Sequence, residues 1–281
     1  KEHQFKSIDR IGYSNNEDIE SIDNELKTQI DKAAWKLFTE PKFNIYLTPS
    51  IQKALSSINN GTKPLHDYCE FSLGITPYDK YKGHSQKTIK SRAYHSEKKE
   101  NENYQPLISG KNITPFKVSD EIKEYIKYGD WLGAPRDERF FTKPRVIVRQ
   151  IVSGNPPMIY AGYTEKALYF TQIGFGLLPS KGLSVTTLCA ILNSKLMNFY
   201  HKFMFLDLEK ELFQKILIEN CKNFPIKLPN EKHENEIKIE VEKLNEMTEI
   251  NGSERKKIDQ LVYQLYGLTA EEIKIVEESV K

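Results

Sequence analysis

Apolar residues change their spacing twice along this chain, and that change constrains its architecture more than any other feature of the sequence. In the first sixty residues they recur every three or four positions. Ile19, Ile22, Leu26, Ile30, Ala33, Ala34 and Leu37 form one stripe, which predicts a helix over 16–40 with Asn16 placed to cap it and Pro41 to end it. A second helix is expected after Thr48, with Pro49 or Ser50 at its mouth. Ile51, Leu55 and Ile58 lie on one side, and Asn59-Asn60-Gly61 forms the stop. From Pro64 the texture alters, and short apolar segments alternate with Gly, Pro, Asn and Ser. Phe71–Ile75, Tyr104–Ile108 and Arg145–Val152 read as strands. In the last of these Val146, Val148, Gln150 and Val152 face one way, and Arg145, Ile147, Arg149 and Ile151 the other. A Ser-Gly-Asn-Pro-Pro turn follows, then shorter strands over 158–163 and 167–171.

Helical spacing returns after Gly182. Ser184 is placed to cap a helix running through Leu188, Leu192, Leu196 and Phe203, and the stretch 209–220 continues in kind up to Phe224-Pro225. Two amphipathic helices are expected at about 232–249 and 253–266, closed by Gly267. Thr269-Ala-Glu-Glu272 has the spacing of a capping box and opens a last helix. The expected fold class is α+β. It comprises a helical N-terminal connector (1–62), a β-rich mixed-sheet domain (63–182) and a C-terminal helical region (183–281).

Composition narrows the function. The chain has 281 residues, 38% hydrophobic and 28% charged, and its longest apolar runs, such as Leu188–Leu192, fall far short of the roughly 20 residues a membrane-spanning helix needs. Lys1-Glu2-His3-Gln4 opens without the apolar stretch of a signal peptide and without an initiator Met, so the start reads as one inside a longer polypeptide. Cys69, Cys189 and Cys221 are far apart and form no CxxC pair. They are expected to be buried thiols in a reducing cytoplasm rather than a disulfide framework or zinc site.

Net charge is only +2, but its distribution is uneven. Between positions 80 and 92 stand Lys80, Lys82, Lys87, Lys90 and Arg92 with no carboxylate. Arg136, Arg139, Lys143, Arg145 and Arg149 follow, diluted only by Asp137 and Glu138, whereas the last fifty residues are acidic. A basic middle beside an acidic tail fits a polyanion meeting one face; solvated loops produce the same pattern.

No self-contained active site is legible. Asn155-Pro156-Pro157-Met158 resembles the Asn-Pro-Pro-aromatic motif of N6-adenine methyltransferases, but Met158 cannot stack on a base as the aromatic does. No glycine-rich turn for S-adenosylmethionine precedes it. Glu121-Ile-Lys123, Glu236-Ile-Lys238 and Glu272-Ile-Lys274 match an acid-x-Lys nuclease triplet without a partnering Pro-Asp. The histidines lack metal-ligand spacing, and His66, His84 and His95 are expected to be exposed. No catalytic residue, metal or cofactor is therefore assigned to this chain. What remains is a vocabulary for nucleic acid. Lys80, Lys82, Lys87, Lys90, Arg92, Lys111, Arg136 and Lys143 are candidates for backbone phosphates. Arg145, Arg149, Gln150 and Asn155 are candidates for base edges, because planar guanidinium and amide groups match major-groove donors and acceptors. Arginines paired with local carboxylates on a sheet face are the competing reading.

Several segments also resemble a known family. They are Pro106-Leu-Ile-Ser-Gly-Lys-Asn-Ile113, Tyr128-Gly-Asp-Trp131 with Pro135-Arg136, and Phe141-Thr-Lys-Pro144 running into Arg145–Arg149. Leu188-Cys-Ala-Ile-Leu-Asn-Ser-Lys-Leu196, Phe224–Pro229 and Ile258–Leu268 follow in the same order. Together they resemble the TaqI-like C-terminal specificity domain of type IIG restriction–modification enzymes and related adenine-specific DNA methyltransferases. One departure is Gly74-Ile75-Thr76-Pro77-Tyr78, which lacks the second glycine of many relatives. The resemblance implies that the β-rich middle is a target-recognition domain for double-stranded DNA, lying over the major groove. It implies helices that support this domain and a methyltransferase domain of the same polypeptide as partner. S-adenosylmethionine, with or without Mg2+, would serve that parent enzyme and its catalytic domains, with or without a nuclease, and this chain alone would not be catalytic. Asn193-Ser194 is assigned to helix packing. The alternative is a protein–protein docking or scaffold module whose late stripes (Ile237, Val241, Leu244, Met247; Leu261, Leu265) meet a partner.

Overall fold

The computed structural model describes residues 46–151, 157–206, 208, 214–247, 250 and 252–280. The helix expected over 16–40 and the candidate Asn155 lie outside them.

The chain enters through α1 (Pro49–Asn59). Thr48 caps it by accepting the Ile51 N–H, and Pro49 sits in the first turn, where its missing N–H leaves no helical bond unmade. Then follow β1 (Lys63–Pro64), β2 (Cys69–Leu73), α2 (Gln86–Lys90), β3 (His95–Ser96), β4 (Tyr104–Ile108), β5 (Ile113–Thr114), β6 (Phe116–Val118), β7 (Glu124–Lys127), α3 (Arg139–Thr142), β8 (Arg145–Arg149), β9 (Ala161–Thr164), β10 (Tyr169–Phe170) and β11 (Gly174–Pro179). The rest is mainly helical: α4 (Val185–Asn193), α5 (Lys195–Phe205), α6 (Ile218–Lys222), the short β12 (Pro225–Ile226), α7 (Glu231–Glu246), α8 (Gly252–Tyr266) and α9 (Ala270–Ser279). The α+β class read from the sequence is the observed one.

The strands form a six-stranded sheet ordered β2-β11-β8-β9-β6-β5, a four-stranded sheet ordered β10-β4-β7-β3, and a β1-β12 pair. Pairing is antiparallel except for β6-β9 and β10-β4. Strand β8 is buried on both faces, and its alternating side chains feed two cores. Val146 and Val148 join Phe116, Ala161, Phe175 and Leu177 against the helices, through residues such as Leu188, Leu192 and Val241. Ile147 points the other way, into a second core between the sheets with Ile75, Leu107, Ile113, Ile126 and Phe170. Three layers result: helices, six-stranded sheet, four-stranded sheet. Gly74, after β2, has no room for a side chain, since a Cβ there would lie 2.0 Å from the Thr171 carbonyl oxygen. Helix α1 packs on the C-terminal helices, and Ser57 Oγ donates to Glu272 Oε1 at 2.6 Å.

Three expectations need correction. The helix predicted from Ser184 is broken at Ser194, whose extended backbone (ψ 152°) starts a new one; its hydroxyl accepts the Met197 N–H at 3.1 Å. The described part of 209–220 is helical only from Ile218, because Lys215 bridges back to Ile151 and Ile216 donates to the Gln150 carbonyl. Strands β7 and β11 were not anticipated. Strand β11 is central, yet its Gly174 and Gly176 gave no strand signal.

Candidate nucleic-acid interface

Strand β4 leaves the four-stranded sheet at Ile108 and enters a tight turn, Ser109-Gly110-Lys111-Asn112. Asn112 holds this turn together. Its Oδ1 accepts from the Ser109 N–H (2.9 Å) and hydroxyl (2.8 Å), and its Nδ2 donates to the carbonyls of Ser119 (3.2 Å) and Glu121 (3.1 Å). The turn thus forms the lip of a cleft of about 820 Å3. Leu107, Ile108 and Ile173 give the cleft an apolar floor, and its rim carries Arg92, Lys111 and Lys123 with Glu97, Glu121 and Glu124. Arg92 pairs with Glu124 at 2.8 Å, across a backbone in the left-handed region (φ 50°). No ion pair engages Lys111 or Lys123 among the described residues. Arg149 borders the same turn, because a Cβ on Gly110 would lie 3.8 Å from its Nε. Its guanidinium lies over the Tyr160 ring, 5.7 Å from the centroid.

A second segment is fastened to this cleft by aromatic packing. Tyr78 stacks on Tyr94 with centroids 5.3 Å apart, and its hydroxyl lies 2.8 Å from His95 Nδ1 on the cleft wall. Burial, with Arg92 nearby, holds the His95 imidazole below its ordinary range. His84 Nδ1 accepts the Asp79 N–H at 2.9 Å, which leaves Nε2 to donate to the Trp131 carbonyl at 2.8 Å. His84 and His95 are accordingly half-buried rather than exposed, and only His66 matches the expectation. Between these anchors Lys80, Lys82, Lys87 and Lys90 stand exposed on a short turn and α2.

The sequence-derived candidates therefore separate. Arg92 and Lys111 meet in the cleft, Arg149 stands beside it, and the four lysines lie on the strap leading to it. Arg136 lies away from the cleft walls, with φ 68° and Nε 3.4 Å from the Gly74 carbonyl. Lys143 lies just before β8, at the end opposite Arg149. Arg139 is bound by Glu70 (3.2 and 2.9 Å) and Asp137, and it holds both carboxyls below their usual range.

Arg145 is withdrawn as a base reader. It is fully buried, and its guanidinium donates to the carbonyls of Lys143 (2.8 Å), Lys166 (3.1 Å) and Leu168 (2.8 Å). Burial pushes its pKa down to about 10. Gln150 is half-buried and lies in a bend just past β8, where its backbone N–H donates to the Ile173 carbonyl at 2.9 Å. Glu97, Glu121 and Lys123 were not among the binding candidates: Glu121 and Lys123 stood out only as an acid-x-Lys triplet, Glu97 comes from a separate segment after β3, and only the Ser-Gly-Lys-Asn turn carried a local signal.

Other features bear on what the site can do. The three cysteines are free and buried, and burial pushes the Cys69 thiol up to about 12. Among the described residues no cluster of His, Cys, Asp and Glu could hold a metal, and no helix is long and apolar enough to cross a membrane. The late-helix stripes are spent inside the molecule. Ile237, Val241, Leu244 and Leu261 are buried in the larger core, and Met247 and Leu265 pack against it.

These features describe a mixed-charge cleft carried on a three-layered α+β scaffold. Residues 105–226 match the model of the TaqI-like C-terminal specificity domain. A putative type II restriction enzyme and methyltransferase of Methanocaldococcus jannaschii, RM.MjaORFECS2P, is 25% identical over 262 residues, covering 87% of this chain and 21% of that protein. This chain therefore spans about a fifth of the length of that relative. The type IIG restriction endonuclease BpuSI shares the fold, with a TM-score of 0.52 at 12% identity over 84% of this chain and 32% of the other. The type IIL restriction–modification enzyme MmeI, solved in complex with DNA, gives a TM-score of 0.49 at 13% identity over 78% of this chain and 35% of the other.

Proposed function

We propose that this chain recognises a sequence in double-stranded DNA as the specificity part of a type II restriction–modification enzyme or site-specific N6-adenine methyltransferase. The observation that carries this reading is the cleft built largely from residues that match the specificity domain, where Lys111 and Lys123, which have no ion pair among the described residues, stand with Glu97 and Glu121, and Arg149 borders the turn. Lysines positioned this way neutralise phosphates. A guanidinium pairs with guanine, and carboxylates accept from the cytosine amino group, so a rim of both signs can discriminate where a purely basic one can only hold. On this reading residues 63–182 form the target-recognition domain and 183–281 its support. Methyl transfer from S-adenosylmethionine and any Mg2+-dependent cleavage fall to other parts of the enzyme, in the cytoplasm, with this chain docked on the methyltransferase domain of the same polypeptide. The docking-module alternative loses its main motive, because the stripes it needs are buried.

The test is binding of the 281-residue chain to a pool of random-sequence duplexes, followed by titration of selected ones against salt. Selection should enrich one motif. Log affinity should fall linearly with log salt, by about 0.9 for each phosphate neutralised. Undetectable binding to every duplex at low salt overturns the proposal.

A further inference from the structure

Tyr81 is 87% exposed, more than any other large hydrophobic side chain among the described residues. Its backbone is nonetheless fixed. Asp79 Oδ1 accepts the Tyr81 N–H at 2.8 Å, Gly83 closes the turn at φ 86°, and His84 ties the following residue to both Asp79 and Trp131. A rigid turn that holds an aromatic ring in water is suited to covering something else. Its surroundings say what. Lys80 Nζ lies 4.8 Å from the ring centroid, Lys82 is the next residue, and no carboxylate occurs from Lys80 to Arg92. Neither lysine has an ion pair among the described residues. Through Tyr78 and His95 the turn stands at one lip of the cleft.

Resting on the duplex-recognition reading above, we infer that the Lys80-Tyr81-Lys82 tip is a second DNA contact outside the base-reading cleft, in which the Tyr81 ring lies on a deoxyribose and the two lysines take the flanking phosphates. Along a strand each sugar lies between two phosphates, as Tyr81 lies between two lysines. In an intact duplex the base faces are stacked away, so the sugar is the apolar surface open to a ring on the backbone. The contact strengthens binding and fixes register without reading sequence.

The experiment compares the unaltered chain with Tyr81→Ala, Tyr81→Phe and Lys80→Gln/Lys82→Gln by fluorescence anisotropy on the selected duplex and on an unrelated one. Each variant is also put through the random-duplex selection. Tyr81→Ala should lose roughly five- to tenfold in affinity on both duplexes, in line with aromatic contacts to nucleic acid elsewhere. Tyr81→Phe should stay within about twofold, the double lysine variant should lower the salt slope by about two, and the selected motif should not change. Undiminished binding by Tyr81→Ala overturns the inference and leaves the tip to a protein partner. A changed motif, or Tyr81→Phe as weak as Tyr81→Ala, overturns it as well. If the unaltered chain binds no duplex, the duplex reading and this inference fail together. If it binds with the expected salt dependence and Tyr81→Ala binds equally well, only the inference fails.

Discussion

Asn193 pairs with Ala161 as a neighbouring strand would. Its Oδ1 accepts the Ala161 N–H at 3.1 Å and its Nδ2 donates to the Ala161 carbonyl at 2.6 Å, all of it buried. Five residues on, across the break at Ser194, Asn198 Oδ1 accepts the Ile159 N–H at 2.7 Å. Two side-chain amides from α4 and α5 thereby satisfy backbone groups at and just before the start of β9, where it lies against the helix layer. The Asn-Ser junction that resembles the family pattern is thus structural: Asn193 completes the sheet and Ser194 restarts the helix.

Asn193→Ala should therefore destabilise the fold by on the order of 3 kcal/mol, because the buried Ala161 N–H loses its partner and its carbonyl is left with only the weak Cys189 Sγ donor at 3.4 Å. Urea unfolding checks this, with the midpoint falling and the slope unchanged. A loss below about 1 kcal/mol would mean water replaces the amide.

Arg145→Lys should behave as a core substitution. A lysine has no planar fork to span the carbonyls of Lys143, Lys166 and Leu168, so stability should drop by roughly 2–4 kcal/mol. The motif enriched from random duplexes should be that of the unaltered chain, and a changed motif would return Arg145 to the base readers.

Asp259 makes stability depend on pH. It is 5% exposed and accepts the Lys195 N–H at 2.8 Å, and burial pushes its carboxyl up to about 6. The unfolded value is about 3.9, so this group's contribution is fully present below that pH and is lost as pH rises through about 6. Asp259→Asn removes the ionisation. Relative to the unaltered chain it should gain up to about 3 kcal/mol between pH 4 and pH 8. Parallel urea titrations at the two pH values measure it, and a constant difference would refute the assignment.

Lys111→Gln/Lys123→Gln should weaken binding to all duplexes and reduce the salt slope by about two. Arg149→Ala should instead change which duplexes are preferred, at about 1–3 kcal/mol for the base pair it reads. Competition binding with selected and scrambled duplexes separates the two effects. A uniform loss in Arg149→Ala would move that residue to the phosphate contacts.

Much of this fold was legible where one segment carries its own signal. The Thr48 cap of α1, the two-faced alternation of Val146, Ile147 and Val148, and the Thr269–Glu272 capping box each depend on residues a few positions apart. Strand β11 was not, because Gly174 and Gly176 lack strand propensity. They are accommodated by tertiary contacts: a Cβ on Gly174 would lie 2.6 Å from the Val148 carbonyl oxygen, and Phe140 and Phe170 crowd Gly176. Arg145 was misread for a related reason, since the carbonyls that hold it come mostly from 166 and 168, about twenty residues on. The cleft was half legible. Arg92 and Lys111 stood out as cations, but nothing in the sequence sets Glu97, Glu121 and Lys123 opposite them until β3, β4 and β7 pair.

Apart from Thr171 and Ile173, the walls of the cleft come from one continuous stretch, 92–124, whereas the helical core gathers residues from Leu47 to Val280. The stretch is anchored to the scaffold where Ile113, Phe116 and Val118 join the six-stranded sheet and its cores. With those side chains kept, together with Tyr94, Leu107, Ile108 and Ile122 of the second core and Lys117, which donates to the Met247 carbonyl at 3.0 Å, the exposed remainder is a replaceable cassette. Exchanging it for the corresponding stretch of a relative would rewrite the chemistry of the rim and leave the folding of the helices untouched.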